Sequence, residues 1–137
     1  MVGTYTSAQV CALAGVSYRC LDYWERVGRF GPPRGRGSGG DRRRRFAPHE
    51  VVLARAYVVL ATVVRGRVSD ERCAELAGEV LAAWVRDPAL DGVRLIIEPG
   101  RAFVGYRTKA PAALIVNLAS CARYVAQREA ELAEEVA

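Results

Sequence analysis

Residues 15–46 read GVSYRCLDYWERVGRFGPPRGRGSGGDRRRRF, a segment that predicts a short helix followed by a basic arm. Ser17 is a good N-cap residue, so a helix is predicted from that point to about Arg29. The apolar residues of this helix recur at helical spacing and predict one buried stripe. That stripe is formed by Leu21, Trp24 and Val27. The outward side of the helix is then left to Tyr18, Arg19, Tyr23 and Arg26.

The helix is followed by an arm that is rich in glycine and arginine. From Gly31 to Gly40 there are two prolines and five glycines, a composition that excludes helix. Residues 42–46, RRRRF, then form a short extended run that is able to close a hairpin. A helix followed by a basic hairpin suits the groove of a nucleic acid and the phosphates beside it.

A shorter helix is predicted just before this stretch, from Ser7 to Ala14. Thr6 and Gln9 have the spacing of a capping box at its start. Gly15 is well suited to the left-handed position at its end. Two short helices joined by a tight, glycine-containing turn describe a helix-turn-helix.

The second helix and the arm supply the candidate DNA contacts. Recognition helices place their first turn against base edges, and arginines beside the groove neutralise phosphates. The candidates are Ser17, Tyr18, Arg19, Tyr23, Arg26, Arg34, Arg36, Arg42, Arg43, Arg44 and Arg45. His49 is interpreted as a helix-start residue without a chemical role.

The charge of the chain is unevenly distributed. Residues 1–65 hold eleven arginines against four acidic residues, a net charge of +7, whereas residues 66–137 hold nine basic against eleven acidic residues, a net charge of −2. A polyanion is therefore expected to bind the N-terminal half. No apolar run approaches the roughly 18 residues of a membrane span. The N-terminus also lacks the layout of a signal peptide, so a cytoplasmic location without membrane contact is expected.

Nothing in the sequence favours an enzyme or a metalloprotein. The four cysteines are scattered without a C-x-x-C motif, and a single histidine accompanies them. Each cysteine is interpreted as a small apolar residue of a helix face, and no metal or other cofactor is expected. There is no histidine–carboxylate pair and no phosphate-cradling loop. The cysteines are Cys11, Cys20, Cys73 and Cys121.

Two further helices are predicted after the arm. Pro48 fits the first turn of a helix that continues to about Arg65. Ser69 caps a fourth helix that extends to Trp84 and is stopped by Asp87-Pro88. Apolar residues at helical spacing give this fourth helix a buried stripe. They are Cys73, Leu76, Ala77, Val80, Leu81 and Trp84.

The C-terminal part has a different texture. Val93–Ile97 and Ala102–Tyr106 are β-rich runs that predict a hairpin. A final helix is predicted from about Ala112 to Glu135, with a heptad-like apolar stripe. The stripe is interpreted either as intramolecular core or as a dimer interface, and the dimer is favoured because DNA-reading helices of this type work in two-fold pairs. The proposed interface residues are Ile115, Leu118, Ala122, Val125 and Leu132.

The N-terminal half resembles the winged helix-turn-helix of MerR-type transcriptional regulators. The residues that carry the resemblance are Tyr5-Thr6, Ala14-Gly15-Val16-Ser17, Arg19, Leu21-Asp22-Tyr23-Trp24-Glu25-Arg26, Gly28 and the arm ending in Arg45-Phe46 before a helix. The likeness is greatest to an actinobacterial subgroup with an L-D-Y-W recognition helix and a small strand-containing C-terminal domain. Asp22 stands where the family commonly has arginine, which removes one expected phosphate contact.

The resemblance implies a mainly α fold: a winged helix-turn-helix with a β-hairpin wing, followed by a small C-terminal hairpin and a long helix. The expected domains are residues 1–86, which bind DNA, and residues 87–137, which form an accessory and dimerisation unit. The implied function is sequence-specific regulation of transcription by a homodimer on a palindromic operator in double-stranded DNA, with RNA polymerase as a further partner. The alternatives are an excisionase-like or architectural protein of a mobile element and a protein-interaction module that captures a partner factor.

Overall fold

The computed structural model describes residues 3–31, 45–61, 68–110 and 113–136. Within these ranges the chain forms five helices and three strands. They are α1 (Ser7–Ala14), α2 (Tyr18–Arg26), α3 (Pro48–Ala61), α4 (Asp70–Arg86), β1 (Arg94–Glu98), β2 (Arg101–Gly105), β3 (Leu114–Asn117) and α5 (Leu118–Val136). The predicted hairpin arm and the end of the third helix lie outside the described residues.

The predicted first helix and its caps are confirmed. The side-chain oxygen of Thr6 accepts a hydrogen bond from the backbone N–H of Gln9 at 3.2 Å, and the backbone N–H of Thr6 donates to Gln9 Oε1 at 2.8 Å. Gly15 ends the helix in the left-handed conformation, with φ of 74°. This is a backbone geometry that costs glycine little, and it turns the chain directly into α2.

The second helix begins where predicted but ends three residues early. Ser17 caps it by accepting a hydrogen bond from the backbone N–H of Cys20 at 3.2 Å. The helix ends at Arg26 because Gly28 has φ of 83°, a left-handed conformation that cannot continue a right-handed helix. Val27 is consequently only half-buried, so its assignment to the buried stripe was wrong.

Helix α3 lies at the centre of the molecule. Nearly every side of it is covered, and Val51, Val52, Leu53 and Ala54 are all fully buried. A helix that is apolar on all sides needs such cover. Helices α1, α4 and α5 pack around it and share one continuous hydrophobic core with the sheet.

The C-terminal part is a three-stranded antiparallel sheet in the order β2-β1-β3. The predicted hairpin is confirmed, with Glu98 paired to Arg101 across the Pro99-Gly100 turn. The predicted start of the final helix at Ala112 was wrong, because residues 114–117 pair with the free edge of β1. Asn117 instead caps α5, its side-chain oxygen accepting from the backbone N–H of Ser120 at 3.2 Å.

Helix α5 packs back onto α3 and α1 of its own chain. Leu118 and Val125 are both 0% exposed in the single chain, so they belong to the intramolecular core. Their assignment to a dimer interface is corrected accordingly, because a residue already covered by its own chain cannot cover a second copy. Ala122 and Leu132 are partly buried against the same core, and Ile115 lies on the edge strand β3 with 51% of its surface exposed.

Candidate nucleic-acid interface

The outward face of α2 carries the residues predicted to contact DNA. Tyr18 and Tyr23 are 66% and 46% exposed, and Arg19 and Arg26 are exposed beside them. The opposite side buries Leu21 and Trp24. Since residues at positions i, i+1, i+4, i+5 and i+8 of a helix fall on one side, these four side chains and Asp22 form one continuous surface. We call these five residues the α2 face.

The start of α2 presents a positive electrostatic end. Its first turn contains no acidic residue, so nothing within the helix neutralises the partial positive charge of the N-terminal N–H groups. Ser17 is exposed and satisfies one of these groups, the N–H of Cys20. The structure therefore assigns Ser17 a capping role, and its hydroxyl stands beside Tyr18 and Arg19 at the exposed end.

Some charged groups of the α2 face are paired with other residues of the same face. Arg26 Nε lies 3.0 Å from Asp22 Oδ2, and the two side chains are 65% and 38% exposed. The guanidinium groups of Arg26 and Arg29 lie 6.0 and 5.9 Å from the centre of the Tyr23 ring, at the outer limit of a cation–π contact. Arg19 forms no ion pair with any other described residue. It is therefore the cation of this face that is most available to an external anion.

An aromatic cluster fixes the orientation of α2. The ring of Trp24 makes edge-on contacts with Tyr57 at 5.4 Å and Phe30 at 6.4 Å between centroids. Phe30 packs on Phe46 at 5.6 Å, and Phe46 pairs with Tyr5 through two backbone hydrogen bonds of 2.8 Å. These contacts hold the base of the predicted arm against the helix-turn-helix.

Polar contacts tie the end of α2 to α4. The hydroxyl of Tyr57 lies 2.8 Å from the carbonyl oxygen of Arg29 and 3.2 Å from that of Cys73. Arg29 Nε also donates to Asp70 Oδ1 at 2.8 Å, in the first turn of α4. No local sequence signal predicts these contacts, because their partners are 16 to 41 residues apart.

The contacts of Arg55 behind the turn, here called the Arg55 brace, were also not predicted from the sequence. Arg55 of α3 donates to the carbonyl oxygen of Ala14 at 3.2 Å, and its guanidinium lies 3.7 Å from the centre of the Tyr124 ring of α5. A Cβ added at Gly15 would stand 3.2 Å from Arg55 Nη1. The turn of the helix-turn-helix is thus held by a side chain that α5 in turn covers.

Five of the predicted contact residues are on α2 or beside it, and the other six belong to the arm. Arg45 is described and exposed next to the buried Phe46. The remaining arm residues lie outside the described residues. They are Arg34, Arg36, Arg42, Arg43 and Arg44. His49 is half-buried in the first turn of α3.

Three of the four cysteine thiols are made less reactive by burial. Burial raises the pKa of Cys11 and Cys73, and it raises the pKa of Cys121 to about 11. In the part of the chain that the structure describes, no three histidine, cysteine or acidic side chains come together as a metal site. None of the described helices is long and apolar enough to cross a membrane.

A comparison with known protein families found a match to the N-terminal part of the chain. Residues 5–61 match the family model described as "MerR HTH family regulatory protein". No curated protein matches the chain. The matched range contains α1, α2 and α3 together with the α2 face and the Arg55 brace. Residues 5–61 are therefore similar to the helix-turn-helix of MerR-family regulators.

Proposed function

We propose that the protein is a sequence-specific transcription regulator that binds double-stranded DNA through the α2 face. The observation that carries the proposal is the composition of this face: two exposed tyrosines and two exposed arginines on a helix whose other side is buried, with Tyr18 and Arg19 at its positive N-terminal end. A surface of this kind matches base edges and phosphates in a major groove. The family match of residues 5–61 supports the same function.

Each part of the face has a different proposed role. Tyr18 and Arg19 lie in the first turn and would meet base edges, whereas Tyr23 and Arg26, about one and two turns later, would meet phosphates. The arginines of the arm would add further phosphate contacts, a proposal that rests on the sequence alone. The L-D-Y-W sequence and the C-terminal sheet also favour a place for this protein in the actinobacterial subgroup of MerR-type regulators.

We further propose that two copies act together on a palindromic operator, because a helix-turn-helix reads only a short half-site. Regulation would then follow from occupancy and distortion of the operator, with RNA polymerase as the machinery affected. About six to eight phosphate contacts per dimer would give a log–log salt slope of about −5 to −7.

The test compares one preferred duplex with random duplex. A preferred sequence is first selected from a randomised pool, and the affinity of the full chain for it is measured as a function of salt. Arg19→Ala is expected to lower the affinity for the selected duplex by about 1–3 kcal/mol and that for random duplex by less, because a base contact specifies whereas a phosphate contact only positions.

Arg123→Ala is the matched control, since Arg123 is an exposed arginine of α5. It should leave both affinities unchanged. Failure to enrich any sequence, together with an affinity that does not depend on salt, would overturn the proposed function. Equal losses on both duplexes from Arg19→Ala would show that this residue contacts phosphate only.

A further inference from the structure

Helix α5 contacts the helix-turn-helix part of the chain at two separate points. At the first, the ring of Tyr124 covers the guanidinium of Arg55, which lies 3.7 Å from the ring centre. At the second, the hydroxyl of Tyr5 donates a hydrogen bond of 2.8 Å to Glu129 Oε2. Tyr124 and Glu129 are five positions apart, about 7.5 Å along the helix axis. One helix of the C-terminal part therefore supports the N-terminal part at both points.

The first point supports the turn that leads into α2. Arg55 Nη1 donates to the carbonyl oxygen of Ala14 at 3.2 Å. Ala14 is the last residue of α1, where carbonyl groups lack helical partners and a cation is stabilising. A Cβ added to the next residue, Gly15, would stand 3.2 Å from Arg55 Nη1 and 3.6 Å from the hydroxyl oxygen of Tyr124. Both side chains thus pack closely on the turn, and the turn fixes the direction in which α2 begins.

The second point supports the base of the arm. Tyr5 and Phe46 exchange two backbone hydrogen bonds of 2.8 Å, and both side chains are buried. Arg45, which is predicted to contact a phosphate, directly precedes Phe46 and is exposed. The hydroxyl of Tyr5 is the group that joins this bridge to Glu129. The carboxylate of α5 therefore holds the backbone that carries Arg45.

Anchoring of α5 to the core does not require these two residues. Leu118, Cys121 and Val125 already anchor the helix, with exposed fractions of 0 to 5%. Tyr124 is 38% exposed and Glu129 is half-buried, so both lie at the edge of that core. A hydrogen bond and a cation–π contact at such an edge contribute little to stability, but each of them restricts direction and distance. Their main effect is on the orientation of the groups that they contact.

We propose that Tyr124 and Glu129 are positioning residues for DNA binding. Tyr124 orients the start of α2 through Arg55, and Glu129 orients Arg45 through Tyr5. The inference rests on the proposed function for the statement that the start of α2 and Arg45 contact DNA. Helix α5 then fixes the base-reading turn and a phosphate contact relative to each other, as recognition requires of groups that must meet one groove. The C-terminal part thus contributes to DNA binding without touching DNA.

Hydrogen exchange of the full chain without DNA tests the second contact point. Glu129→Ala and Tyr5→Phe should each speed the exchange of the backbone amides of residues 5 and 46 by about fivefold or more, because the bridge between them loses its support. The two effects should not add in the double variant, since each change removes the same hydrogen bond. Glu134→Ala removes an exposed carboxylate of the same helix and should leave both amides unchanged.

The first contact point is tested through the amides of Gly15 and Val16, both of which donate to the carbonyl oxygen of Cys11. Tyr124→Leu removes the aromatic face above Arg55 and should speed the exchange of these two amides by about fivefold or more. Tyr124→Phe keeps the aromatic face and should exchange like the wild type. Equal effects of the two changes would show that the ring does not position the turn.

Duplex binding shows whether the positioning matters for function. Glu129→Ala should weaken binding to selected and random duplex alike, and the log–log salt slope should become less negative by about 0.9, the value of one phosphate contact. Loss of a negative charge alone should have the opposite effect on affinity, and Glu134→Ala measures that effect. Tyr124→Leu should lower the affinity for the selected duplex about tenfold and that for random duplex less, because base contacts are lost. Tyr124→Phe should bind both duplexes like the wild type.

The outcomes separate this proposal from the proposed function. Glu129 and Tyr124 variants that exchange like the wild type would overturn the positioning role, whether or not the protein binds DNA. Faster exchange with unchanged duplex binding would show that the contacts serve stability only, and it would overturn the proposal as well. A wild type that selects no sequence and binds without salt dependence would instead overturn the proposed function.

Discussion

Helices α2 and α4 bury stripes of the same kind but present opposite chemistry to their surroundings. The buried sides are Leu21 with Trp24 in α2 and, among others, Leu76 with Val80 in α4. Outward, α2 shows tyrosines and arginines, whereas α4 shows an apolar centre between charged ends. The buried stripe fixes how a helix packs. The exposed side, which folding leaves free, indicates which partner the helix suits.

If only exposed residues are available to a partner, the same substitution should have different effects at a buried and at an exposed position of one helix. Helix α5 offers such a pair of positions. Val125 and Ala126 are neighbours, but the first is 0% exposed and the second is exposed. Val125→Glu should cost roughly 3–5 kcal/mol or more of the free energy of unfolding, because a carboxylate would enter a core without a partner. Ala126→Glu should change it by less than about 0.5 kcal/mol.

Chemical denaturation of both variants checks the expectation. If Val125→Glu dissociated a dimer while leaving the monomer as stable as the wild type, Val125 would be an interface residue after all. The division between covered and uncovered faces would then be invalid for α5.

Elements with local signals could be predicted from the sequence. The boundaries of α1 and the N-caps of α2 and α4 follow from Thr6, Ser17 and Ser69, whose side chains accept the hydrogen bonds that their positions imply. The exposed tyrosines and arginines of α2 were likewise predicted, because burying Leu21 and Trp24 leaves them no other side. Local chemistry was sufficient in these cases.

Elements that depend on distant partners could not be predicted in the same way. Residues 114–117 were assigned to a helix, since nothing in their own sequence reveals that β1 offers a free edge. Leu118 and Val125 were assigned to a dimer because the sequence does not show that α1 and α3 already cover them. The Arg55 contacts with Ala14 and Tyr124 have no local signature either. In each case the information lies in tertiary packing.

The exposed faces of α2 and α4 keep a fixed relative position only if contacts hold the end of α2 against α4. Tyr57→Phe removes the hydroxyl that lies 2.8 Å from the Arg29 carbonyl and should cost about 1–3 kcal/mol of the free energy of unfolding. Tyr106→Phe, at a tyrosine that is 55% exposed, is the control and should cost nothing measurable.

Tyr57→Phe should also change how the free energy of unfolding depends on pH in the alkaline range. Burial raises the pKa of Tyr57 above its usual 10.0, so its contribution to stability is present below pH 10 and is lost as the pH rises beyond that value. The difference in unfolding free energy between wild type and Tyr57→Phe should therefore shrink above pH 10. A difference that stayed constant through this range would show that the hydroxyl is not buried as described.

The smallest expected effect concerns the one acidic residue of the α2 face. Asp22 lies 3.0 Å from Arg26 and offsets part of the positive charge that this face presents to DNA. Asp22→Asn should tighten binding to any duplex by up to about 1 kcal/mol, the usual limit for an exposed ion pair, because Arg26 no longer has a competing carboxylate. The log–log salt slope should become more negative by about 0.9, the value of one additional phosphate contact.

Asp91→Asn, a change of equal charge at an exposed position remote from α2, should leave the slope unchanged. Titration of random duplex at several salt concentrations measures both quantities. A weaker affinity in Asp22→Asn would mean that the carboxylate positions Arg26 for its contact, and DNA binding by the α2 face would then depend on an ion pair within that face.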